Sequence, residues 1–117
     1  MKLTKHLDFI RSLPCVICGD NTATEACHIR YSDAAHNKVN PGIGRKPSDE
    51  HTIPLCSKHH REQHRTSEIG FWRSYNLDPV SISNSLFSCS GDHEKGCKII
   101  ADIAPSNLTL ESKVLFI

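Results

Sequence analysis

The chain has 117 residues, 38% of them hydrophobic, with a net charge of +1, six cysteines and eight histidines. That length allows one domain with a modest core, and the near-neutral charge excludes a surface that is basic throughout. A local basic face stays compatible with the total. No apolar run approaches a membrane span, and the N-terminus Met1-Lys2-Leu3-Thr4-Lys5-His6 lacks the apolar stretch of a secretory signal. The expectation is a cytoplasmic protein with no membrane partner.

Residues 4–12 read as a short amphipathic helix with apolar Leu7, Phe9 and Ile10, capped by Thr4 and ended by Pro14. Cys15-Val16-Ile17-Cys18-Gly19 follows at once. Two cysteines at this spacing, with a glycine that tolerates positive φ just after them, form a zinc knuckle. A redox pair would call for alternating strands and helices, and that context is missing. Thr24–Arg30 reads as a strand, with Arg30 on the same face as His28. Arg30 there suits either a phosphate contact or a salt bridge within a hairpin. The segment from Tyr31 to Glu50 is rich in glycine, proline and asparagine, and reads as a long loop. Its Lys38, Arg45 and Lys46 are cations placed to meet phosphates, or simply a solvated charge run. His51–Leu55 reads as a second strand antiparallel to the first, and Pro54 fits only near its end or at an edge.

The densest stretch is Pro54-Leu55-Cys56-Ser57-Lys58-His59-His60-Arg61-Glu62-Gln63-His64. Cys56 and His59 form a C-x2-H zinc half-site, and with the upstream C-x2-C they favour zinc over disulfides. His60 and His64 are four apart, so on a helix over about 57–66 they share one face and can hold one ion. Two interleaved pairs suggest two metals, one structural and one chemical. A structural metal would also stabilise a chain with so small an apolar fraction.

Residues 67–75, with Ile69, Phe71, Trp72 and Tyr75, read as a packing helix. Asp78-Pro79 caps and starts another through Val80, Ile82, Leu86 and Phe87. Gly91-Asp92-His93-Glu94 opens a last helix with Ile99, Ile100 and Ile103, stopped by Pro105. Cys89, His93 and Cys97 are spaced at four and eight, but Gly91 interrupts the helix and the expectation is free thiols. Residues 106–117 carry no clear pattern.

Knuckle, strand with a histidine, loop, strand, then a helix with paired histidines: over Cys15 to about Pro79 this order resembles the HNH (ββα-metal) endonuclease superfamily. Within it the chain is most similar to small phage and prophage HNH proteins and to the RecA-dependent phage recombination-enhancement nuclease. The residues that carry the resemblance are Cys15-x2-Cys18, His28-Ile29-Arg30, Gly44-Arg45-Lys46-Pro47-Ser48-Asp49, Thr52-Ile53-Pro54-Leu55-Cys56-x2-His59-His60-x3-His64 and Phe71-Trp72. The fold class implied is α+β: a zinc-stapled ββα-metal core over about 14–66, flanked by the N-terminal helix at 4–12 and a helical extension over 67–104.

The resemblance implies Cys15, Cys18, Cys56 and His59 around one structural Zn2+. His28 corresponds to the general base that deprotonates the attacking water. His51, five positions before Cys56, corresponds to the residue that orients the base. His60 and His64 correspond to the ligands of a catalytic divalent ion, whether Mg2+, Mn2+ or Zn2+. Where the superfamily commonly has a further ligand, an aspartate or histidine before the base, this chain has Cys27. A thiolate there suits a zinc-like catalytic site; otherwise Cys27 is a small buried residue and water or phosphate completes the shell. Asp49, two before His51, suits a histidine-supporting carboxylate, with a cap or turn role preferred. DNA is the implied substrate, in phage or prophage processing within a bacterial cell or infected host. The resemblance further implies a recombinase or other DNA-processing protein as partner, and a monomer or homodimer. The competing class is a non-catalytic zinc module that binds nucleic acid or a partner protein, which would not need His28, His60 and His64.

Overall fold

The computed structural model describes residues 3–30 and 48–103, and the elements fall in the order α1 (Thr4–Arg11), β1 (Thr24–His28), β2 (Thr52–Cys56), α2 (Ser57–Arg65), α3 (Glu68–Ser74) and α4 (Pro79–Ser88). A fifth helix, α5, covers 93–103. The architecture is α+β, a two-stranded antiparallel sheet with helices packed on it. No helix among the described residues is long and apolar enough to cross a membrane.

The hairpin register pairs Thr24 with Cys56 and His28 with Thr52, one residue beyond the strand expected at His51–Leu55. This puts Pro54 at the centre of β2 rather than near its end. The ladder accommodates it: the Ile29 amide donates to the His51 carbonyl, and counting back by twos makes Ala26–Pro54 a non-hydrogen-bonded pair. Pro54 therefore turns its missing N–H away from β1, and its outward carbonyl accepts from the Val16 amide at 3.0 Å. The bond that proline cannot donate to β1 is never asked for, and the knuckle docks on its free carbonyl.

All five residues of β2 are buried, whereas β1 leaves Glu25 exposed. The core gathers Ile10, Trp72, Leu86 and Ile100 from every helix but α2, Ile53 and Leu55 from β2, and Leu13 and Val16 from the segment between α1 and β1. The N-terminal helix differs from expectation at its start. Leu3, not Thr4, is the N-cap, and it makes no side-chain cap. Instead the Leu3 amide donates to Asp49 Oδ2 at 2.7 Å, which ties the start of α1 to the turn before β2. His6 on α1 lies 2.7 Å through Nδ1 from Ser90 Oγ, and its buried ring meets Phe87 edge-on. Burial pushes its pKa down against the pull of Asp49 and Glu50.

The later helices have local start signals. Ser67 accepts from the Gly70 amide at the start of α3, and Asp78 accepts from the Ser81 amide with Pro79 in the first turn of α4. Two apolar residues expected to pack, Ile69 and Phe87, are 43% and 40% exposed, because the seams of α3 and α4 run through Phe71–Trp72 and Val80–Ile82–Leu86.

Helix α5 meets α1 closely at Gly96, where an added Cβ would lie 2.8 Å from Leu13 Cδ2 and 2.9 Å from Phe9 Cζ. Alanine improves helix propensity by about 1 kcal/mol, yet overpacking a filled core costs about 1–3 kcal/mol. We expect Gly96→Ala to lower the urea midpoint followed by circular dichroism. A raised midpoint would mean that the α1–α5 contact has room to spare.

Candidate metal centre and the histidine pair beside it

The four residues expected to bind zinc come together. The ligand atoms of Cys15, Cys18, Cys56 and His59 all lie within 4.8 Å of one another, the one such cluster among the described residues. Cys18 Sγ lies 3.9 Å from Cys56 Sγ, and His59 Nδ1 lies 3.7 Å from Cys15 Sγ and 3.1 Å from Cys56 Sγ. A tetrahedral zinc with bonds of about 2.3 Å to sulfur and about 2.0–2.1 Å to nitrogen sets S···S at about 3.8 Å and S···N at about 3.6 Å. The donor set and its spacing suit a structural metal such as zinc.

Local sequence explains how the ligands are aimed. The Cys15 amide donates to the Asp20 carbonyl and the Gly19 amide to the Cys15 carbonyl, a tight turn that Gly19 completes at φ +76°. Cys56 is the N-cap of α2, where the helix dipole favours a thiolate. His59 follows one turn in, and the Tyr75 ring meets its imidazole edge-on at 6.1 Å. The Tyr75 hydroxyl donates to Glu62, and burial together with this bond pushes its pKa up to about 12. Burial likewise pushes the Cys15 thiol up to about 12 and lowers His59. Without a cation the pocket therefore strongly favours protonated Cys15.

One residue on, α2 turns a different face outward. His60 and His64 approach through their Nε2 atoms to 3.1 Å, with the rings tilted by 34°. His60 Nδ1 lies 2.7 Å from Glu25 Oε1 on β1, a residue that the sequence reading did not single out. His64 has its pKa lowered by burial first, then by His60 and Arg30.

His28 belongs to a second network. Its Nε2 lies 2.7 Å from Asp49 Oδ1, and Asp49, itself buried, also takes the Leu3 amide. Burial alone would push the Asp49 carboxyl up, but the bonds from His28 and Leu3 outweigh it and hold it below the usual carboxylate range. Asp49 thus does more than the turn role preferred from sequence: it supports a histidine, the alternative its place two before His51 left open, but the ring it engages is that of His28. His51 contributes its carbonyl to the Ile29 amide, and its Nδ1 lies 3.8 Å from Glu50. Strand alternation sends Glu25 and His28 to opposite faces of β1.

Cys27 is 1% exposed within the hydrophobic core, and burial pushes its thiol up to about 12. That setting matches the small buried residue of the two alternatives, and Cys27 joins no ligand cluster among the described residues. Arg30 is exposed, and its amide donates to Glu68 at 2.7 Å. Arg45 and Lys46 lie outside the described residues. Cys89 closes α4, while Cys97 on α5 sits 3.6 Å from His93 Nε2, and the three form no ligand cluster.

A family model described as "Protein of unknown function (DUF968)" matches residues 1–86, and the chain belongs to that family. No curated protein and no solved structure matches the chain.

Removing the metal should unfold the domain, because its binding free energy is folding free energy. We expect chelation, or Cys56→Ala, to abolish the cooperative thermal transition and to leave no bound zinc by atomic absorption. Re-addition of zinc should release thiol protons, so its affinity should rise with pH through the neutral range. A chelated protein that melts unchanged would remove the metal from the account of stability.

Proposed function

We propose that the protein is a metal-dependent HNH endonuclease that hydrolyses DNA phosphodiester bonds in phage or prophage DNA processing or recombination. The observation that carries this reading is the His60–His64 pair. Two nitrogens bound to one ion at about 2.0–2.1 Å, with angles of 90–110°, stand about 2.9–3.4 Å apart, and the pair stands at 3.1 Å. A zinc staple has no need of these two residues. The order of hairpin and following helix, with the Cys15–His59 cluster at their junction, supports a ββα-metal core.

A divalent cation held by His60 and His64 would supply charge neutralisation at the scissile phosphate and the departing 3′ oxygen. The chain's own residues do the rest. The carboxylate of Asp49 accepts from His28 Nε2–H, which leaves Nδ1 with its lone pair to take the proton of the attacking water. Asp49 thereby takes the orienting role that the resemblance gives to His51, and the His51 carbonyl secures the end of β1. Arg30, Arg45 and Lys46 contact backbone phosphates. The partners in this reading are DNA and a recombinase or other DNA-processing protein. A monomer nicks, and a homodimer cuts both strands.

One observation favours a second reading, a non-catalytic zinc module that binds nucleic acid or a partner protein. His28 and the His60–His64 pair bond to separate carboxylates, from opposite faces of β1.

A nicking assay on supercoiled plasmid separates the two. Wild type, His28→Ala and His60→Ala would be compared in Mg2+, Mn2+ and Zn2+ with zinc content and melting measured on the same samples. The expected result is cation-dependent nicking that falls about 100-fold or more in His28→Ala, the scale of a lost general base, with zinc content unchanged and a cooperative, somewhat lowered melting transition retained because Asp49 loses one partner. DNA retention without nicking in any cation would establish the second reading.

A further inference from the structure

We infer that Glu25 is the positioning residue of the His60–His64 pair, holding the His60 ring in the tautomer that can ligate a divalent transition metal. The inference rests on the metal reading of that pair. Glu25 stands on β1 and His60 on α2, so their 2.7 Å contact joins two elements rather than neighbours along one helix. An ionised carboxylate only accepts, so His60 Nδ1 must carry the proton it shares with Glu25. His60 Nε2 is then bare, and it points at His64 Nε2, 3.1 Å away. Without a cation, His64 Nε2–H donates into that lone pair. With a cation, His64 shifts its proton to Nδ1, and both Nε2 atoms face the same point.

This is the carboxylate–histidine–metal arrangement, in which the carboxylate behind the ring fixes its orientation and raises its basicity. The rival account is a surface ion pair worth little, since half of the Glu25 side chain is exposed. That account attaches no importance to which ring nitrogen faces the carboxylate. In this structure Glu25 engages Nδ1, the nitrogen that faces away from His64, and leaves Nε2 to the pair. Imidazole nitrogens of this kind suit zinc, cobalt and nickel, with water or substrate oxygens completing the shell.

The test uses the full-length protein with zinc in the Cys15–His59 cluster and Co2+ as the probe. Cobalt binding is followed by its d–d absorption, and the absence of thiolate-to-cobalt charge transfer shows that zinc has not exchanged. Before cobalt is added, 15N spectra of the histidine rings read which nitrogen of His60 is protonated. Wild type should bind one cobalt and show His60 protonated at Nδ1. Glu25→Ala should bind cobalt about 10–100-fold more weakly and lose that tautomer preference, with its melting temperature unchanged. His60→Ala should not bind at this site. If Glu25→Ala keeps both the cobalt affinity and the tautomer, Glu25 is idle although the histidine pair is a metal site. If wild-type protein takes up no cobalt beside its zinc, the metal reading of the pair fails, and this inference fails with it.

Discussion

Three cysteine sulfurs and one imidazole nitrogen drawn from two segments of chain are gathered within 4.8 Å, and that gathering fixes how the knuckle, the end of β2 and the start of α2 meet. Burial keeps the Cys15 thiol and the His59 ring neutral, so a Cys15 thiolate is costly there without a cation beside it. With a cation, the same burial excludes water from the bonds and turns metal affinity into folding free energy. Because Cys56 is the N-cap of α2 and His59 lies in its first turn, the cluster sets both where the helix begins and its rotation about its own axis. With His59 and Gln63 turned inward, His60 and His64 face outward together.

The hairpin mediates between this cluster and the rest of the fold. Pro54 sits where the ladder asks nothing of its nitrogen, and its carbonyl receives Val16 of the knuckle. At the other end of the strands, Asp49 takes the Leu3 amide and the His28 ring at once, so the start of α1 and the end of β1 share one carboxylate. Thr52 reinforces the turn by donating to the Asp49 carbonyl. The two ends of the sheet therefore have different chemistry, sulfur at the α2 junction and a histidine–carboxylate pair at the turn.

The histidines that the proposed function uses lie on the margins of this frame rather than in its core. His28, His60 and His64 project from regular elements, and a carboxylate from another part of the chain engages His28 and His60. Such support holds a ring in one orientation and one tautomer, as acid–base or metal chemistry requires. Membership of the DUF968 family attaches no reaction to these residues.

The sequence by itself determined the Cys/His cluster that could hold a metal, the helix that follows it and the order strand–strand–helix, because these are written in short spacings: C-x2-C, C-x2-H, and histidines four apart. Helix starts at Asp78-Pro79 and the turn at Gly19 were legible for the same reason, since capping and positive φ act within a few residues. Only the tertiary structure decided what crosses the chain. The one-residue shift of β2 depended on cross-strand pairing, and the role of Asp49 depended on Leu3, 46 positions away in the chain. Glu25 carried no local signal, because its partner is 35 positions downstream on another element. Cys27 is covered by the core where motif order alone left it eligible as a ligand. Spacing along the chain specifies which donors share a turn, whereas the partner behind each donor is chosen by packing.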